Sequence, residues 1–421
     1  GYQVLQSTAG NDVDGAIGIG YQALNDVTSG DHNIAVGWQA GDAITTTAGT
    51  ISIGTSALGG ITTTGDYTIA IGYGAMGGAE IGDGNIAIGY QSMQNANSAG
   101  LHRNIAIGYQ TMANVGSNGP DDNVALGYQA LNDITTGGYN LGIGSYALEK
   151  VTTGTDNVAV GFVAGRRITG TYNVSIGSYA HDYGYGSTKS IAIGYQSAQY
   201  STGSFNTFVG YQAGRGGTNS APFSSGGNNT AVGYQSFDGH TTGTNNTALG
   251  HTALGSVTSG IGNVGIGYYG NSRTTTGNYN ISIGSEAYGI STGERNITMG
   301  YRAVMTGYTV SDNIAIGHSA MYAINGGSYN FAFGTEAMYG HSSAGTNSNN
   351  IAMGYRSMYQ VGKGSANVAI GHGTGYQMLS GSYNTLLGFE AGKYATGSNN
   401  TFVGMSAGYG GTTSAPFNSG Q

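Results

Sequence analysis

The sequence predicts an all-β protein, a parallel β-solenoid of about 24 coils of about 17 residues each. Three observations predict it: an extreme glycine content, one phrase repeated along nearly the whole chain, and strict apolar alternation inside that phrase. Of 421 residues, 81 are Gly, 32 are Tyr and three are Pro, and only 8% are charged. An average domain has about 7% Gly and about 25% charged residues. Low charge argues against a solvated disordered chain, and scarce Pro without Gly at every third position excludes collagen. Tightly turned β structure remains. The formal net charge of −8 leaves no basic footprint for nucleic acid. No apolar run approaches the roughly 18 residues needed to span a membrane. There is no Cys, hence no disulfide and no thiolate metal site.

The repeat is anchored by the Gly that closes each "N-I-A-I-G-Y-Q-A" phrase. It stands at Gly20, Gly37, Gly54, Gly72, Gly89, Gly108, Gly127, Gly144, Gly161, Gly177, Gly194 and Gly210, and continues from Gly233 to Gly404. Of the 22 intervals between the 23 copies, 13 are 17 residues and four are 16, so one coil per phrase is the natural unit. A partial copy stands at Gly1-Tyr2-Gln3.

Aliphatic residues occupy the positions one and three before the Gly, as in Ile34 and Val36 or Ile86 and Ile88. Alternation over so short a segment predicts a strand with those residues on its buried face. The residue between them is Ala, Ser or Gly in 19 of 23 copies. Its uniform smallness predicts an opposite face packed against neighbouring chains. Four residues before the Gly, Asn recurs in 19 copies, suited to turns and to amide ladders between stacked coils. The Gly supplies a corner that a Cβ would obstruct. Three residues after it comes a small inward position (Ala23, Ala40, Ala213), and the coil closes through turns such as Thr153-Gly154 and Thr276-Gly277. One coil cannot fold alone. Ordering it costs roughly 1–2 kcal/mol per residue, and its few buried aliphatics return about 1.5–3 kcal/mol apiece, so stacking is obligatory.

A longer period is also present. Asn206–Gly227 and Asn400–Gln421 match closely at an offset of 194 residues, each with a Pro (Pro222, Pro416) in an insertion. This predicts a first solenoid array over 1–205, a junction coil over 206–232, a second array over 233–399 and a second junction coil over 400–421. The chain starts inside a phrase, without Met or signal peptide, and reads as a window of a longer tandem array.

The phrase "N-[IV]-A-[IV]-G-x-x-A", from Ala16 to Ala407, resembles the head repeats of YadA-like trimeric autotransporter adhesins and related bacteriophage tail-fibre repeats. The resemblance implies a left-handed β-roll in a homotrimer with the small column near the threefold axis. The repeat here is longer than the adhesin repeat, which implies a larger coil or an extra outer turn. No coiled-coil heptad or membrane anchor accompanies it.

Several columns are candidates for function. The residue after the Gly is Tyr, Trp or Phe in 14 copies (Tyr21, Trp38, Tyr73, Tyr90, Tyr109, Tyr128, Phe162 among them). It reads as a structural ring ladder, or as a platform for sugars. Thr stands eight residues after the Gly in 14 copies, including Thr28, Thr45, Thr62, Thr135, Thr241 and Thr258. That array is interrupted at Glu80, Asn97 and Gly116, which disfavours a flat ice-binding face. His251, His318 and His372 replace the ring of their coils and read as ladder members; His32, His102, His181, His240 and His341 are scattered. Asn228, Asn245 and Asn399 open Asn-Asn-Thr triplets, formal glycosylation acceptors that the repeat itself explains. The insertion from Arg215 to Asn228 and the loops near Ala99–Arg103 and Gly116–Asp122 interrupt the scaffold, where binding usually sits.

No carboxylate pair, nucleophile set or phosphate loop recurs, so the sequence yields no catalytic, cofactor-binding or metal-ligating residue and no cofactor. It is read as non-enzymatic. The expectation is a structural and adhesive segment of an extracellular fibre, on a cell surface or a virion tail, self-associating as a homotrimer or end to end. Its expected partner is a cell-surface glycan or receptor, with no nucleic acid and no membrane insertion. The alternative is a monomeric solenoid that binds polysaccharide or ice.

Overall fold

A computed structural model describes residues 3–5, 13–60, 65–78, 81–95, 100–116, 119–217, 223–287, 292–304, 310–324, 326–340 and 347–410. Pro222 and Pro416, with the end of the second junction coil, lie outside the described residues, as do Thr62, Glu80, Asn97 and His341. The chain divides into two compact units, Gly1–Asn206 and Thr207–Gln421. Each is a parallel β-solenoid.

Among the described residues the first unit carries eleven three-residue strands, from β1 (Ile17–Ile19) to β11 (Ile191–Ile193); the second carries twelve, from β12 (Thr207–Val209) to β23 (Thr401–Val403). Within a unit each strand pairs in parallel with the next, in perfect register. Thus β2 (Ile34–Val36) meets β3 (Ile51–Ile53) as Ile34 to Ile51, Ala35 to Ser52 and Val36 to Ile53. The strands form one wall of each coil. Turns form the rest, and among the described residues there is no helix.

The sidedness of the strand is opposite to the sequence expectation. The small central residue faces the coil's own interior: Ala35, Ala87, Ala159, Ser175 and Ala369 are fully buried. The flanking aliphatics turn outward and are half-buried or exposed. A Cβ placed on Gly142, in this central column, would lie 3.3 Å from the Ala147 carbonyl oxygen and 3.4 Å from Leu131 Cγ. The opposite wall is therefore close enough that only a methyl-sized group fits. That wall supplies Ala three residues after the Gly and Leu or Met four residues after it, such as Leu24, Met93, Met112, Leu131 and Leu148, all buried. Where the central residue is large, the opposing one shrinks. Phe208 faces Gly214, Phe402 faces Gly408, and Leu386 approaches Gly392, whose Cβ would sit 2.8 Å from Leu386 Cδ2. Core volume is thereby conserved coil by coil.

The Asn column forms the expected amide ladder. At Asn140, the backbone N–H and Nδ2 both donate to Asn123 Oδ1 (2.9 and 3.1 Å), and Nδ2 also donates to the Gly154 carbonyl (2.9 Å). Asn157 repeats the pattern on Asn140 Oδ1. The ladder runs from Asn85 to Asn173 in the first unit and from Asn229 to Asn400 in the second, every member buried. Asn suits the position because one side chain both accepts from the next coil and donates to it.

The repeat Gly marks the corner after the strand. Gly37 has φ +145°, and a Cβ there would lie 2.6 Å from the Gly54 carbonyl oxygen, so successive corners stack backbone on backbone. Three further positions per coil are left-handed without needing Gly. They lie two and four residues after the Gly (Gln22, φ 54°; Leu24, φ 53°) and five before it (Tyr139, φ 59°; Asp156, φ 57°).

Candidate functional site

The scaffold presents surface columns, one residue per coil. The first is aliphatic. Outward strand positions form two adjacent rows, and in the first unit all of their residues are Ile, Val or Leu and none is buried. The rows continue in the second unit with Thr entering at Thr207, Thr230, Thr247, Thr385 and Thr401.

The second column is aromatic. Tyr73, Tyr90, Tyr109 and Tyr128 stack face to face, with centroids 5.4, 5.0 and 5.3 Å apart and rings within 10° of parallel. The column then passes edge-to-face through Tyr146, Phe162 and Tyr179 to Tyr195. Tyr146 and Tyr179 stand one residue later than the ladder position, so a column-by-column reading of the sequence misses them. They fill the coils where that position is Ser145 or Ser178. In the second unit His251 stacks on Tyr234 (4.8 Å), His318 on Tyr301 (5.4 Å) and His372 on Phe389 (5.0 Å), which makes these histidines ladder members as expected. A parallel Gln ladder runs beside the rings. Gln110 Nε2 donates to Gln91 Oε1 and Gln129 Nε2 to Gln110 Oε1, both at 3.0 Å. Inside the stacked run, ring faces are covered by other rings, which leaves only edges for a ligand.

Several hydroxyls of the Thr column bond their own scaffold. Thr28 Oγ1 donates to the Thr45 carbonyl (3.0 Å), Thr135 Oγ1 to Thr152 (2.9 Å) and Thr241 Oγ1 to Thr258 (3.1 Å). These hydroxyls hold coils together instead of presenting a free array.

The remaining polar groups are mostly structural. In the loops near residues 100–103 and 119–122, Arg103 grips Asp122 of the next coil through Nε and Nη2 (2.7 and 2.8 Å), holding that carboxyl below its ordinary range. In the insertion beginning at Arg215, Arg215 Nη2 donates to Asp238 Oδ2 at 3.2 Å. Asp182 is nearly inaccessible and accepts from both Arg166 and Arg167, yet burial keeps its pKa raised. His181 and His240 are fully buried, and desolvation pushes each down to about 4. Asn228, the first formal glycosylation acceptor, is exposed. Among the described residues no group of three or more His, Asp or Glu is placed to hold a metal ion, and no helix is long and apolar enough to cross a membrane.

No known family model matches the chain, and a search of curated proteins likewise finds no match.

Proposed function

We propose that this chain is a structural and adhesive segment of an extracellular or viral fibre, without catalytic activity, which self-associates as a homotrimer through the aliphatic face of its strands. The observation that carries the reading is that face. In the first unit it presents two outward aliphatics on each of eleven strands. That is apolar surface on the order of 1,000 Å², whereas monomeric proteins seldom show patches beyond several hundred and a standard interface covers about 800 Å² per partner. Three solenoids can each turn such a wall toward a common axis. The resemblance to trimeric adhesin and tail-fibre repeats fits this, with the interface on the aliphatic rows and not on the small column. The hydroxyls of Thr28, Thr135 and Thr241, turned onto the next coil's carbonyls, count against the ice-binding alternative.

Light scattering on the gel-filtered chain tests it. The expected mass is three times 42.6 kDa. The double variant Ile88→Lys, Ile107→Lys is expected to dissociate the assembly while keeping the solenoid's far-UV spectrum. A monomeric parent chain overturns the proposal.

A further inference from the structure

One surface column of the first unit alternates from coil to coil. Five residues before each repeat Gly the backbone is left-handed. In the first unit, successive coils place there Gly15, His32, Gly49, Tyr67, Gly84, Arg103, and then Asp122, Tyr139, Asp156, Tyr172, Lys189, Phe205. Every second coil therefore carries a flat π-bearing side chain, and the coils between carry a small or charged one.

These side chains are costly where they stand. Bulky residues at positive φ are uncommon and strained, of the order of 1–3 kcal/mol each, where Gly or Asn would sit more easily. Nor are they there to fill the core, since Tyr67, Tyr139, Tyr172 and Phe205 are 73%, 64%, 56% and 53% exposed. Unlike the Tyr73–Tyr128 ladder, none of Tyr139, Tyr172 and Phe205 stacks on another ring among the described residues. The intervening positions keep the rings apart. A Cβ on Gly49 would meet Tyr67 Cδ1 at 2.8 Å; Asp122 pins the Arg103 guanidinium; and Lys189 Nζ lies 5.5 Å from the Phe205 ring centroid.

At the parallel-strand spacing of about 4.8 Å, alternate coils set the rings about 9.6 Å apart. An extended β-1,4-linked pyranose chain turns the same flat face outward once per disaccharide, a repeat of about that length. Aromatic rings at this pitch in one column match successive disaccharides of one polymer, with Asp156 between Tyr139 and Tyr172 and Lys189 between Tyr172 and Phe205 placed to meet its hydroxyls.

We propose that the column Tyr139–Tyr172–Phe205, extended toward the N-terminal side by Arg103, Tyr67 and His32, is a binding platform for a neutral β-1,4-linked polysaccharide of the cellulose or chitin type. This goes beyond the fibre reading, and its test is independent of oligomeric state. The second unit provides an internal contrast. Its ring residues in the same column, Tyr279, Tyr329 and Tyr383, recur every third coil and are out of step with a disaccharide repeat.

The experiment is depletion of the full-length chain from solution by microcrystalline cellulose and, separately, by crystalline chitin. Binding to at least one is expected. The triple variant Tyr139→Gly, Tyr172→Gly, Phe205→Gly should lose affinity by about tenfold or more, while Tyr279→Gly, Tyr329→Gly, Tyr383→Gly should keep it. Gly occupies this column natively, so both variants should retain the parent far-UV spectrum and unfolding midpoint. A second variant, Asp156→Tyr with Tyr172→Asp, keeps the number of rings but shifts one by a single coil, and should also lose binding. No binding of the parent chain to either polymer overturns the proposal, as does undiminished binding by the triple variant. Full binding by the shifted variant overturns the spacing argument on which the ligand class rests.

Discussion

Replacing Asn140 with Ala tests the amide ladder where it is continuous on both sides. Asn140 Oδ1 accepts the Asn157 backbone N–H (3.0 Å) and Asn157 Nδ2 (3.1 Å), and Asn140 Nδ2 donates to the Gly154 carbonyl (2.9 Å). Ala removes these three bonds and the two that Nδ2 donates to Asn123 Oδ1 and the Gly138 carbonyl (3.1 Å each), acceptors that keep the backbone N–H of Asn140 and of Asp156. Asn157 Nδ2 retains the Gly170 carbonyl at 3.0 Å, so the damage concentrates on the Asn157 N–H and the Gly154 carbonyl. Each buried polar group left without its partner costs about 1–3 kcal/mol, which places the substitution at about 2–6 kcal/mol. Asn140→Ser should cost about half as much, because a hydroxyl can accept the next coil's backbone N–H, as Ser190 Oγ does from Asn206 at 3.1 Å. Native-state hydrogen exchange is the appropriate assay, since a solenoid can open one coil without unfolding its neighbours. The Asn157 amide should lose protection by a factor corresponding to this cost, and the amides of Asn173 and Asn206 should change far less. Unchanged protection at Asn157, or an equal loss in every coil, would refute the argument that each ladder bond acts only between adjacent coils.

Two further outcomes follow from the same geometry. His181 and His240 have folded pKa values near 4, lowered from 6.5 by burial, so each is neutral when folded but protonates readily when unfolded. Their contribution is fully present above pH 6.5 and is lost as pH falls toward 4, by about 3 kcal/mol per residue; His181→Leu and His240→Ile, compared with the parent chain by urea unfolding at matched pH, should remove that part of the acid sensitivity. Tyr109→Leu breaks two stacked pairs and should cost about 1–3 kcal/mol, with a loss of near-UV circular dichroism larger than one tyrosine in 32 would give.

The solenoid was legible because its repeat is carried by backbone demands. Gly37 and its counterparts touch the next coil's carbonyl, and Asn140 and its counterparts each bond the coils on either side. Such requirements admit few residue types, so the columns stand out in the sequence. Sidedness was not legible. Alternation at Ile34-Ala35-Val36 says that the two faces differ, and habit assigns the larger side chains to the interior. The interior here is narrow, as the 3.3 Å gap between a Cβ on Gly142 and the Ala147 carbonyl shows, and Leu and Met from the far wall already fill it. The core residues Leu24 and Met93 were overlooked because they sit in turns at positive φ, outside any strand pattern. The ring column at Tyr139 was overlooked for another reason. No residue type is in the majority there, and its order appears only when alternate coils are compared.

The confinement of bonding to adjacent coils has a mechanical consequence. The strand hydrogen bonds run from coil to coil, so a pull that lifts a coil from the end of a stack loads only that coil's own set. Coils would then detach one at a time. Each would release about 17 residues, which extend to roughly 55 Å of chain from a rise of about 4.8 Å. A coil that lets go lengthens the protein about tenfold over its own share and leaves the next coil's ladder intact and ready to re-template it. Such a chain would absorb a sudden load by paying out length in equal steps and would recover those steps when the load is removed.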